Sequence, residues 1–287
     1  MKRLIFLFGI LFAIVACNQA SEKSDYGKVD YSKKRIVSLN GAITELLFEA
    51  NLGGQIVGVD VTSDYPEAAK RIAKVGYTRQ MNAEGILALA PDVIVGLKNE
   101  VKPELLQQLQ ATGKEVLLFE KGNSKDSVYK FFESVLTKFD QRSKFDSLKA
   151  INEKELSGIK SFVSKPKVLF IYARGVGNLM AAGSDTPMQS FIELSGASNA
   201  AIGFSGYKPL NAESIALFNP DVILMFEDGL KSIKGTEELW KIPGLGDTSA
   251  AKNNLCVAMD GSYISNFGPR FSKACLEFNS QLDIHFD

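Results

Sequence analysis

The residues able to do chemistry in this chain are few. Its single histidine is His285, two positions from the end of 287 residues, where chains are usually frayed. A Ser-His-Asp triad or a His-rich zinc or manganese site needs an imidazole held by the fold, so both are set aside. Oxygen and guanidinium chemistry remain. Tyr77 stands in "KVGYTRQMN", between an apolar segment and a capped helix, with Arg79 two residues on. A phenolate is a hard anionic oxygen suited to ferric iron, provided that the metal or a nearby cation draws its pKa down from about 10. By residue type alone, an aromatic packed beneath its loop is the commoner outcome. Tyr207, in "GYKPL", is its main rival among eight tyrosines. Arg270 ends "NFGPR", ahead of the last helix, and Arg174 lies in "YARGVGN". The Arg270 guanidinium could bond a carboxylate or a phenol oxygen, or stand in a solvated loop, and Arg174 is the weaker candidate of the two.

Two acids occupy matched places. "NAEGILALAPDVIVGL" (82–97) returns as "NAESIALFNPDVILMF" (211–226), which puts Glu84 and Glu213 second after an Asn suited to capping a helix. An acid in a first turn complements the helix dipole by roughly 0.3–1 kcal/mol, which is reason enough for its presence. One pair of copies this far apart indicates a duplicated lobe and not a solenoid, which needs several adjacent repeats. "ARGVG" lacks the spacing and context of a phosphate loop, and "GFSGY" lacks a glycine of the nucleophile elbow. Nothing specifies covalent catalysis, and the protein is read as a binder and not an enzyme.

These side chains need a scaffold. With 45% hydrophobic and 23% charged residues the chain can bury a sizeable core, and its length allows one large domain or two ordinary ones. Lys plus Arg equals Asp plus Glu, 33 each, so no basic field attracts nucleic acid. From Arg35 short apolar runs alternate with helical stretches, which predicts an α/β fold with mainly parallel sheets covered on both faces. Strand signals stop between 124 and 164, where apolar residues recur at helical spacing, and then resume with "PKVLFIY". The expected plan is an N-terminal lobe over 35–123, a helical connector over 124–164 and a C-terminal lobe over 165–287. The two Rossmann-like lobes are joined by a long, rigid, continuous helix.

Ahead of the lobes, "MKRLIFLFGILFAIVACNQ" carries two cations and an apolar run from Leu4 to Ala16. A bilayer takes about 20 apolar residues, so this run reads as a secretory signal over 1–16. Its end, "IVAC", resembles the lipobox of bacterial lipoproteins, which implies Cys17 as a lipidated N-terminus. Residues 17–34 read as a flexible tether. Cys256 and Cys275 fall in an apparent strand and an apparent helix and are expected to be unpaired.

Taken together, the lipobox, "RIVSLNGAITELLFEANLGGQIVGVD", "KVGYTRQMNAEGILALAPDVIV", the helical connector and "GFSGYKPLNAESIALFNPDVIL" resemble the substrate-binding lipoproteins of bacterial haem ABC transporters. The likeness covers about Lys34 to Asp283. The repeat block marks the wider group that also binds cobalamin and ferric siderophores, while "VGYTR", "MAAGSDT", "GYKPL" and "NFGPR" carry the haem resemblance. It implies a helical-backbone substrate-binding fold with haem, as transported ligand for iron uptake, held in the cleft between lobes that move little. It implies Tyr77 on the iron without a histidine partner, Arg79 beside it, and Tyr207 and Arg270 reaching from the second lobe. It also implies docking of Glu84 and Glu213 on the two subunits of a permease, and a monomer tethered by Cys17 in the periplasm or at the cell surface. A cobalamin or ferric-siderophore binder and, more remotely, a tetrapyrrole chelatase are the alternatives.

Mass spectrometry of protein taken from membranes should find Cys17 as the first residue, bearing acyl chains. An unmodified residue 17, or cleavage elsewhere, would refute the lipoprotein expectation.

Overall fold

The computed structural model describes residues 29–78 and 80–286. The leader, Cys17, most of the expected tether and Arg79 lie outside the described residues. The tether expected to run to residue 34 ends earlier. Tyr31 is 5% exposed, its ring meets Phe139 edge-on at 4.7 Å, and its hydroxyl donates to Glu115 at 2.9 Å. A buried aromatic with a satisfied hydroxyl is part of the core, so the folded body begins at Tyr31.

The N-terminal lobe runs β1 (Ile36–Ser38), α1 (Gly41–Glu49), β2 (Ile56–Val59), α2 (Ala83–Leu87), β3 (Val93–Leu97), α3 (Pro103–Gln110) and β4 (Glu115–Phe119). Its strands pair in the order β2-β1-β3-β4, all parallel. Alternate residues serve opposite faces of the sheet. Ile36, Val93 and Val95 pack toward α1 with Ile43 and Leu46. Val37 and Ile94 pack toward α2 and α3 with Ile86, Leu105 and Leu109. With both faces covered, all five residues of β3 are buried, which is why it reads as an unbroken apolar run.

The connector is helical, as expected, but it is two helices and not one: α4 (Lys125–Lys138) and α5 (Arg142–Ser157). Asp140 sits in the left-handed region at φ 58°. The Gln141 N–H donates to the Leu136 carbonyl at 2.7 Å, and the Asp140 N–H to that of Thr137 at 3.1 Å. This is a Schellman stop with aspartate in the place glycine usually takes, so the absence of glycine concealed it.

The C-terminal lobe continues with β5 (Lys167–Ala173), β6 (Leu179–Ala182), α6 (Pro187–Leu194), β7 (Ser198–Asn199), β8 (Tyr207–Pro209), α7 (Ala212–Phe218) and β9 (Val222–Phe226). Then follow α8 (Glu227–Ser232), α9 (Thr236–Trp240), α10 (Ser249–Lys252), β10 (Cys256–Met259), α11 (Gly261–Ser265) and α12 (Phe271–Phe286). Strands β10, β9 and β5 are parallel, whereas β6 runs antiparallel to both β5 and β8. This sheet is therefore mixed, more so than the alternation of elements predicts. Cys256 on β10 and Cys275 in α12 are free thiols, pushed up by burial to about 11 and about 12.

One apolar cluster runs through both lobes, from Leu46 and Phe132 to Phe271, Phe278 and Phe191. Polar groups fix the register of α5 against α12. The Asn152 amide donates to the Pro269 carbonyl at 3.1 Å, and the Ser272 hydroxyl donates to Asn152 at 2.6 Å. Asn279, 1% exposed, accepts from the Lys160 N–H at 2.9 Å and donates to the Lys160 and Ser195 carbonyls at 2.9 and 3.1 Å.

A second contact joins the lobes nearer the strand ends. Arg270 donates from Nε and Nη2 to the two carboxylate oxygens of Glu45, each at 2.8 Å. Its guanidinium lies against the rings of Tyr65 at 3.5 Å and Tyr263 at 4.8 Å. Beside it, Ser262 donates to Asp64 at 2.8 Å, and Lys121 donates to the Asn266 carbonyl at 2.7 Å. Burial pulls the Lys121 amine down to about 8. Gly268 completes the fit, since a Cβ there would lie 3.3 Å from the Glu45 carboxyl and 3.4 Å from the Ala42 backbone.

Burial pushes the Glu45 carboxyl above its usual range, against the pull of Arg270. A carboxyl raised in the folded state contributes its full stability below its unfolded pKa and loses it as pH rises through the raised value. Removing Arg270 deepens that loss. Arg270→Met should therefore cost roughly 3–5 kcal/mol at pH 7 and distinctly less at pH 4, in denaturant melts followed by circular dichroism. Adding Glu45→Gln should recover most of it at pH 7.

Candidate functional site

The carboxyl ends of parallel strands in open α/β sheets open into the crevices where ligands bind. Here those ends carry two different kinds of aromatic. In the N-terminal lobe the chain leaves β2 and returns alongside it through a bridge between Val59 and Lys74. Gly76 then turns it at φ 104°, a conformation that side chains rarely adopt. Thr78 pins the loop: it is 8% exposed and donates to the Leu39 carbonyl at 2.9 Å. The Gln80 and Met81 N–H groups donate to the Tyr77 carbonyl at 2.7 and 2.9 Å. With the backbone held on both sides, Tyr77 is still 47% exposed. The aromatic is thus presented by its loop and not packed beneath it.

In the C-terminal lobe the aromatics pack on one another. Tyr207 stands on β8 opposite Ala182, in a segment with no strand signal in the sequence. Its ring meets Tyr172 edge-on at 6.4 Å, and Tyr172 meets Phe226 at 6.0 Å. Burial raises the Tyr207 phenol, and Tyr172 raises it further, so its charged form is disfavoured. Arg174 donates from Nε to the Tyr172 hydroxyl at 2.6 Å and lies over that ring at 5.3 Å. A cavity of about 440 Å³ opens here, lined by Tyr172, Arg174, Phe226, Glu227, Asp228 and Asp260 among others.

The structure thus groups Tyr207 with Tyr172 and Arg174. Arg270, which the resemblance has reaching the ligand, commits Nε and Nη2 to Glu45 across the lobes. Sequence reasoning missed Glu45, Tyr65, Tyr172 and Tyr263. Tyr172 left one trace, as a polar-tipped aromatic near the end of the apolar strand "KVLFIYA".

Glu84 and Glu213 are exposed in the first turns of α2 and α7. Asn82 accepts from the Gly85 N–H at 2.8 Å and Asn211 from the Ser214 N–H at 2.8 Å, so both copies start on the expected cap. Among the described residues no group of three or more His, Cys, Asp or Glu could hold a metal ion, and no helix is long and apolar enough to cross a membrane.

Comparison with known proteins agrees with this architecture. The apo structure of the periplasmic heme-binding protein RhuT from Roseiflexus sp. RS-1 superposes with a TM-score of 0.82 and 35% identity, covering 86% of this chain and 97% of that one. An uncharacterized ABC transporter substrate-binding lipoprotein, YvrC of Bacillus subtilis (strain 168), is 29% identical over 83% of this chain and 76% of its own length. The vitamin B12-binding protein of Vibrio campbellii (strain ATCC BAA-1116) is 24% identical over 88% of this chain and 91% of its own. The periplasmic binding protein family matches residues 36–263. That match spans both lobes and the helices between them, and the chain belongs to the periplasmic binding protein family.

Proposed function

We propose that this protein binds ferric haem between its lobes and delivers it to an ABC permease, tethered to the membrane by lipid on Cys17 and acting as a monomer. The observation that carries this reading is Tyr77, a phenol left 47% exposed on a loop whose neighbours are pinned. A tyrosinate is an established axial ligand of ferric haem. Ligation needs the phenolate, and burial disfavours that form at Tyr207. In this reading Tyr77, presented by its pinned loop, is the iron ligand, and Tyr207, packed edge-on against Tyr172, is part of an aromatic wall for the ring. Arg79 stands two residues on in sequence, as the cation that favours the phenolate. Likeness to a haem-binding protein at 35% identity supports the ligand choice. A vitamin B12-binding relative at 24% identity makes cobalamin the second reading.

The lobes, over about 35–123 and 165–287 with the two helices between, act as jaws that move little. The clamp of Arg270 on Glu45 and the register of α5 on α12 both oppose a wide opening.

Ferric haem added to the purified protein should give a tyrosinate-to-iron charge-transfer band in the visible spectrum. Tyr77→Ala should abolish it and weaken binding by about 100-fold or more, the equivalent of roughly 3 kcal/mol. Tyr207→Phe and His285→Ala should retain it. Tighter binding of cyanocobalamin than of haem would transfer the assignment to cobalamin.

The matched acids are the permease contacts, one per lobe. Glu84→Gln with Glu213→Gln should bind haem normally yet fail to stimulate the transporter's ATPase in reconstituted vesicles. Undiminished stimulation would reduce both acids to helix capping.

A further inference from the structure

We infer that Arg174, oriented by Tyr172, binds a carboxylate at the edge of the ligand, and that in the haem reading, on which this rests, the carboxylate is a propionate. The charged groups around the cavity differ in the partners they already hold. Three acids line it. Glu227 and Asp228 lie 3.8 and 3.2 Å from the Lys231 amine. Asp260 caps α11, accepting from the Tyr263 N–H at 2.8 Å. Arg174 differs. Among the described residues Arg142 and Arg270 each hold a carboxylate and Arg35 donates to the Ala90 and Leu89 carbonyls, whereas Arg174 is exposed and its guanidinium donates to the neutral hydroxyl of Tyr172.

That bond uses Nε and leaves Nη1 and Nη2, a pair suited to a planar carboxylate. Contact with the Tyr172 ring limits the directions the guanidinium can take. The loop behind it is held as well, since the Gly175 N–H donates to the Ser232 hydroxyl at 3.0 Å. A fixed cation therefore borders an aromatic surface made by Tyr172, Tyr207 and Phe226. The complement of that arrangement is a flat apolar body with a carboxylate at its rim. Haem has this form. Cobalamin, whose peripheral side chains are amides, lacks the carboxylate.

The test compares ferric haem with its propionate dimethyl ester, each titrated in the same detergent into wild-type protein, Arg174→Gln and Tyr172→Phe. Arg174→Gln should weaken haem binding by about tenfold or more while leaving the ester's affinity equal to that of the wild type. Tyr172→Phe, which removes only the hydroxyl that orients the guanidinium, should show a smaller loss for haem alone. The tyrosinate band should persist in both variants, and their thermal melts should match the wild type. Equal losses for haem and ester, or no loss for either, would overturn the role of Arg174 while leaving the haem reading intact. Failure of the wild type to bind haem at all would instead remove that reading and this inference with it.

Discussion

The pair formed by Glu45 and Arg270 decides where the two lobes stand. A carboxylate from the first helix of one lobe and a guanidinium from the loop before the last helix of the other meet through two bonds of 2.8 Å, with Glu45 nearly out of solvent. Burying such charges costs several kcal/mol each, and the fork-to-fork geometry offsets that cost only if both partners stay in place. Tyr65 and Tyr263, one from each lobe, both lay their rings against the guanidinium. The result has specificity that an apolar contact of equal area lacks. A hydrophobic seam tolerates sliding, whereas a buried bidentate pair is satisfied in one arrangement and costly in neighbouring ones.

The two lobes present their aromatics differently. On the N-terminal side the backbone is pinned around Tyr77 and the phenol is left free to reach outward. On the C-terminal side Tyr172, Tyr207 and Phe226 pack edge to face, so their rings form a common surface.

The repeated block explains the likeness of the lobes and also where they part. In each copy an Asn cap opens a short helix, and the following strand lies inside its sheet, β3 between β1 and β4 and β9 between β10 and β5. The helix ends differ: the first copy closes at Ala88 in a helical conformation and the second at Asn219 in the left-handed region. The sheets differ more. The first is wholly parallel, while the second adds β6 and β8 in antiparallel sense, and that addition carries Tyr207 to the rim.

What the sequence by itself determined was local or periodic: the α/β alternation, the capped helices, the buried parallel strands, the duplicated block and the loop position of Tyr77. These follow from backbone geometry and from the spacing of apolar residues, which act over a few positions at a time. The break in the connector was written there too, but in an unusual spelling, with aspartate where glycine usually stands. Only the tertiary structure could assign Arg270 to Glu45, because their partnership spans 225 positions, and a guanidinium before a helix looks the same whether it faces a ligand or another lobe. The same holds for Arg174. Its proposed role rests on the partners that its neighbours already hold, a property of the assembled surroundings that no single stretch of sequence contains.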